Sequence, residues 1–171
     1  MIKKLILLVL IICLGFAAFL VNSSLLDSED KKFSRVISKF QRQVAWKGFL
    51  VAGIGSGQNK GKTDLLSVSM ETKDLADENQ AKSLVIELGE DFLAIINADK
   101  KIRPYLYQYP YPVEGIRVSV VWRLNESERE DYVAAATISR GRVMLWGENH
   151  DDTITVIYDE PIEVAAKECE Q

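Results

Sequence analysis

The stretch that most constrains this chain is KIRPYLYQYPYP at residues 101–112. It holds three of the four prolines, Pro104, Pro110 and Pro112. It also holds four of the six tyrosines, Tyr105, Tyr107, Tyr109 and Tyr111, at every second position. Proline fixes its own φ, offers no N–H, and steers the residue before it out of helical geometry. A helix arriving from the N-terminal side must therefore stop at Arg103. In an extended chain, residues two apart share a face, so the four tyrosines are expected to form a ladder with Arg103 near one end. A tyrosine ring offers wide apolar area plus a hydroxyl, a surface suited to peptide or glycan contact. The competing expectation is that two or three of the rings pack over the helix end and cover the core. Arg103, Tyr105, Tyr107, Tyr109 and Tyr111 are the candidate binding residues.

Upstream, residues 74–98 carry an apolar stripe at helical spacing: Ala81, Leu84, Val85, Leu88, Phe92, Ile95 and Ile96. Asp74 or Asp77 can cap the start, and Lys100, Lys101 and Arg103 complement the C-terminal dipole. Gly89 inside this helix costs roughly 1 kcal/mol relative to Ala and leaves room for another element to approach closely. A second helix is expected over residues 28–46, with Phe33, Val36, Ile37, Phe40 and Val44 inward and a basic outer face. Residues 45–54 read as a buried strand. The run GIGSGQNKGKT at 53–63 ends like a phosphate loop, but Ser56 stands where the first glycine should be. Leu66, Val68 and Met70 then alternate as a strand where a phosphate loop opens a helix. A flexible glycine-rich hairpin connection is the expectation.

Downstream, Ile116, Val118, Val120, Trp122 and Leu124 alternate with Arg117, Ser119, Val121 and Arg123, the pattern of a half-buried strand. Residues 125–130 form a charged turn. Residues 132–139 and 142–148 flank Arg140-Gly141 as a hairpin, and residues 153–158 give a last strand. Pro161 suits the first turn of a short helix through residue 170. The fold class expected is α+β: one domain at residues 24–171, a mainly antiparallel sheet of about six strands with the helices on one face, in the order αββαβ and then further strands.

The N-terminus sets the location. Lys3 and Lys4 precede residues 5–21, which carry no charge, and Asp27, Glu29 and Asp30 follow. Residues 1–23 read as a signal anchor or a signal peptide. Val21-Asn22-Ser23 is an acceptable cleavage site, whereas the bulky Phe19, Leu20 and Val21 suit an anchor. The charge order places the N-terminus in the cytoplasm and residues 24–171 across the membrane, in the bacterial cell envelope, or secreted if the segment is cleaved. Membrane contact through residues 5–21 is the first partner expected. Cys13 is preceded by the large Ile12, a poor context for lipid attachment. With Cys169 it forms no disulfide framework or zinc pattern.

A formal net charge of −4 argues against nucleic acid as a partner. His150, the one histidine, sits among Glu148, Asp151 and Asp152, but neighbours in a turn point in different directions and rarely converge on one ion. No cofactor and no metal are expected. Any Ser-His-Asp or Cys-His set would have to use His150, and nothing near it resembles a nucleophile elbow. The favoured function is a non-catalytic, membrane-tethered envelope protein that binds or scaffolds a protein or glycan partner. The alternative is a small periplasmic enzyme using acidic residues near Arg103 and the tyrosines.

The helix ending in IINADKKIRPYL at residues 95–106, followed by Tyr109-Pro110 and a strand, resembles a set of uncharacterised envelope-type proteins of chlamydia-like and other intracellular bacteria. They share an N-terminal hydrophobic segment and an Arg-Pro-Tyr-Leu…Tyr-Pro signature. The resemblance covers residues 49–120. It implies an envelope location and the αββαβ order, and it carries over no activity and no site residues.

Overall fold

A computed structural model describes residues 30–123, 132–149 and 153–169. The chain divides into two compact units, Met1–Arg35 and Val36–Gln171. Of the first, the described part is the opening of one helix. The elements run α1 (Asp30–Trp46), β1 (Leu50–Asn59), β2 (Lys62–Thr72), α2 (Glu78–Ala98), β3 (Ile116–Trp122), β4 (Ala135–Ser139), β5 (Arg142–Glu148), β6 (Ile154–Pro161) and α3 (Ile162–Cys169). Single 3-10 turns lie at Arg103–Tyr105 and Val113–Gly115. The architecture is α+β, a six-stranded sheet packed with three helices.

The strands lie side by side in sequence order. All neighbours are antiparallel except β2 and β3, which run parallel from Leu66↔Ile116 to Thr72↔Trp122. A parallel pair cannot be joined by a tight turn, and here the connection is α2 and the tyrosine segment. The register stacks apolar side chains in rows across the sheet. Val68, Val118, Ile138 and Val143 form one row, and Met70, Val120, Ala136 and Leu145 the next. All eight are buried. Burying each such aliphatic side chain contributes roughly 1.5–3 kcal/mol, so these rows are the main cohesive element of the sheet.

Helix α2 lies on β3, β4 and β5. Gly89 makes that approach: a Cβ built there would stand 2.6 Å from Ile138 Cδ1. The sequence's local cost at Gly89 thus corresponds to close contact with the sheet. The helix opens at Asp77, whose Oδ1 accepts from the Gln80 N–H at 2.9 Å while Gln80 Oε1 accepts from the Asp77 N–H at 3.0 Å. This reciprocal capping box satisfies two donors that the first turn leaves open. Of the two expected caps, Asp77 fills the role and Asp74 lies outside the helix.

Helix α1 packs Phe40 on Phe92 of α2, with ring centroids 4.7 Å apart. It ends at Gly48, whose φ of +87° is a left-handed conformation that favours glycine. The Phe49 N–H reaches back to Val44 O at 3.1 Å and the Gly48 N–H to Ala45 O at 3.2 Å. That pair of bonds is a Schellman closure, with Phe49 buried beneath the turn.

Two expectations need correcting. The strand expected at 45–54 begins only at Leu50, because α1 runs to Trp46. The glycine-rich run expected as a flexible connection is mostly strand β1 itself. Gly53 pairs with Ser69, Gly55 with Ser67 and Gly57 with Leu65. The reversal is confined to Lys60 and Gly61, both at positive φ. A Cβ at Gly55 would come within 2.6 Å of Ser67 Oγ, so any larger residue there would turn the Ser67 hydroxyl aside. The expected charged turn at 125–130, residues 150–152 of the His150 cluster and residues 1–23 lie outside the described residues, while Glu148 ends β5.

Candidate functional site

The tyrosine segment is a folded corner, not an extended ladder. After α2 ends, Lys101 N–H bonds Asp99 Oδ1 at 2.8 Å, and the chain makes a 3-10 turn through Arg103–Tyr105. Pro104 occupies that turn early, where its missing N–H leaves no bond unmade. Leu106, buried, forms a lone parallel bridge to Thr63 at the start of β2, and the Tyr107 N–H bonds Thr63 O at 2.9 Å. Lys62 Nζ donates to Pro104 O. Tyr109-Pro110 is a cis peptide bond.

Asn97, in the last turn of α2, fixes the far end of the corner. Its Oδ1 accepts from the Tyr111 N–H at 2.6 Å and its Nδ2 donates to Tyr111 O at 3.1 Å. One side-chain amide thus satisfies both backbone groups of Tyr111, as a neighbouring strand would. Sequence reading passed over Asn97. It sits beside the apolar stripe, and no spacing rule pairs it with a residue fourteen positions on.

These anchors sort the five candidate residues. Tyr111 is buried, its ring against Gly115, where a Cβ would stand 2.7 Å from Tyr111 Cζ. Its hydroxyl has no partner among the described residues. Burial, helped by the Asp64 carboxylate, pushes this phenol far above the usual range, so it stays neutral. Tyr105, Tyr107 and Tyr109 are exposed, at 38%, 59% and 43%. The Arg103 guanidinium stacks over the Tyr109 ring at 3.9 Å, and Tyr109 Oη donates to Asn97 O at 3.1 Å. Arg103, Tyr109, Tyr105 and Tyr107 therefore share one short surface corner, and Tyr111 is its internal peg. The extended ladder is absent, and one ring rather than the expected two or three covers the core, with the other three exposed.

A second cluster joins α2, β6 and α3. Lys82 is buried, with Nζ 3.4 Å from Glu78 Oε1 and 3.2 Å from Glu168 Oε2. The same ammonium lies 4.6 Å from the centre of the Tyr158 ring, and Tyr158 Oη donates to Glu168 Oε2 at 3.0 Å. Burial alone would lower the Lys82 pKa, but hydrogen bonds to Glu168 and Glu78 outweigh it and the net shift is upward. Tyr158 is pushed up to about 12, by burial first and then by its bond to Glu168. Glu168 is held below the usual carboxylate range by the Tyr158 and Lys82 bonds. A lysine held charged is neither base nor nucleophile near neutral pH, so the cluster is a clamp for the C-terminal helix.

A cleft of about 430 Å³ opens at the end of β1, β2 and β3, lined by Gly48, Leu50, Glu71, Thr72, Lys73, Asp74 and Arg123. Arg123 Nη2 and Glu71 Oε2 pair across it at 2.7 Å. Among the described residues no group of three His, Cys, Asp or Glu side chains is placed to hold a metal ion. No helix of the described residues is long and apolar enough to cross a membrane. Comparison of the chain with protein-family models, with curated proteins and with solved structures returned no match.

Proposed function

We propose that this is a membrane-tethered bacterial envelope protein that works by binding or scaffolding rather than by catalysis. In this reading residues 5–21 hold the chain in the membrane, the α+β domain lies outside the cytoplasm with its helices on one sheet face, and the Arg103 corner meets a protein or glycan partner. The compartment is suggested by the uncharged run at residues 5–21, with Lys3 and Lys4 before it and Asp27, Glu29 and Asp30 after it. The observation that carries the binding role is the corner itself. Three exposed tyrosines and a stacked arginine sit on a backbone pinned by Asn97, Thr63 and Lys62. Rigid aromatic rings with few rotatable bonds give contact area at low entropic cost, and Tyr and Arg are enriched where such contacts carry binding.

Chemical readings find less support. Lys82 is held as an ammonium, Tyr111 is a sealed neutral phenol, and the Glu71 and Arg123 side chains in the cleft are paired with each other. The test uses the full chain as bait in detergent-solubilised envelope extract. Wild type should recover a partner that the Tyr105→Ala/Tyr107→Ala variant loses. Tyr107→Ala alone, at the most exposed of the rings, should weaken recovery without changing thermal unfolding. Undiminished recovery by both variants would sink the proposal.

A further inference from the structure

The net charge of −4 conceals a strong asymmetry. Residues 31–63 contain eight Lys and Arg residues and no Asp or Glu. Within this run, α1 turns Val36, Ile37, Phe40 and Val44 inward and leaves Lys39, Arg42 and Trp46 exposed. Positions 39, 42 and 46 are spaced three and four apart, so they form one stripe along the helix. Arg42 Nε donates to Ser38 O at 3.2 Å, which lays its guanidinium along that surface. Lys47 does not belong to the stripe, because its ammonium is committed to Glu87 and Asp91 at 2.6 and 3.0 Å.

Trp46 is 92% exposed, the most exposed large apolar side chain among the described residues. Leu50, 67% exposed, stands on the other side of the Gly48 turn. The Schellman closure holds Trp46 there, since Phe49 turns under the helix end and Trp46 is left outside. A water-facing indole at the end of a basic stripe combines the two features of an interfacial helix. Lysine and arginine reach lipid phosphates, and tryptophan is most stable at headgroup depth. A run without carboxylates brings no repulsion of its own against an anionic surface.

We propose that this outward stripe of α1, Lys39, Arg42 and Trp46, docks on the headgroup layer of a bilayer containing anionic phospholipid. It deepens the membrane-tethered reading and rests on it for the nearness of a bilayer. The domain would then lie against the membrane rather than hang from it.

The test reconstitutes the full chain into vesicles of phosphatidylcholine alone or of phosphatidylcholine with phosphatidylglycerol. The difference in indole emission between wild type and Trp46→Phe isolates Trp46. Anionic vesicles should shift that component to the blue and expose it to quenching by brominated lipid; neutral vesicles should not. Lys39→Glu/Arg42→Glu should abolish the shift, since the loss of each cation alone weakens association about fivefold and the added carboxylates repel the surface. Salt in the molar range should reverse it. A Trp46 component that is the same in both vesicle types, or that survives the charge reversal in a variant with unchanged thermal unfolding, overturns the proposal. The tether is read separately, by flotation with phosphatidylcholine vesicles after an alkaline wash. Loss of flotation with the anionic response intact removes the tether and leaves the docking face. Flotation without the response removes the docking face alone.

Discussion

Helices α1 and α2 lie against each other through Phe40 and Phe92, yet they solve different problems. Helix α2 buries Ala81, Val85, Leu88, Gly89, Phe92 and Ile96 and is closed at its start by a reciprocal cap. Nine of its 21 residues are buried, the largest buried set of any helix here among the described residues. Helix α1 buries a single stripe and carries cations along the rest. The contrast shows where selection on stability and selection on surface chemistry can act apart. Substitutions on α2 should be read first in folding, and substitutions on the outer stripe of α1 first in association.

Three changes probe that contrast, in decreasing order of effect. Phe92→Ala should destabilise by about 3–5 kcal/mol in denaturant unfolding, because the ring is fully buried and touches Phe40. Adding Phe40→Ala should cost less than the sum of the two single changes, since they share one contact. An additive pair would show that the helices do not depend on this contact. Gly89→Val should come next, at about 1–3 kcal/mol, because its Cβ would crowd Ile138 Cδ1. Ile138→Val should restore part of that loss, and no restoration would place the strain elsewhere.

The smallest effect is expected from Lys47→Met, at less than about 1 kcal/mol near neutral pH, as befits a partly exposed ion pair. The effect has a pH signature. The hydrogen bond to Glu87, opposed by burial and aided by Asp91, raises the Lys47 pKa above the ordinary 10.5. The unfolded chain therefore gives up this proton first. The stabilisation is complete below about pH 10.5 and is lost as pH rises through the folded value. The difference in stability between wild type and Lys47→Met should shrink over that alkaline window. A constant difference would separate Lys47 from the pair.

How much of this was legible in the sequence depended on how local the cause was. The stripe from Ala81 to Ile96, the Asp77 cap and the Arg140-Gly141 hairpin were readable, because each is set by neighbours within a few positions. The glycine run reads as a loop in the sequence, whereas most of it is strand, because its pairing partners, Ser67 opposite Gly55 among them, lie across the hairpin. The end of the helix near Ala98 was legible, but Pro104 does not impose it: α2 stops at Ala98, and Arg103 and Pro104 lie in a separate 3-10 turn whose shape was not legible. Alternating tyrosines imply a shared face only in an extended chain, and the bonds of Asn97 and Thr63 hold this one in a corner. The exposed Trp46 was invisible because hydrophobic identity normally predicts burial, whereas here the Gly48 turn decides the outcome.

The single parallel seam between β2 and β3 has a consequence for the order of assembly. The hairpin of β1 and β2 and the run from β3 to β6 each close through short sequence separations. The seam closes over the longest connection in the sheet, the stretch that holds α2 and the tyrosine corner. Loop-closure entropy therefore concentrates at one line through the middle of the sheet. The Asn97–Tyr111 bonds shorten that loop from within, and the Leu106–Thr63 bridge ties the connection back to the start of β2. The corner that presents aromatic rings to solvent is thus also a latch that fastens the long connection to the strand it leaves.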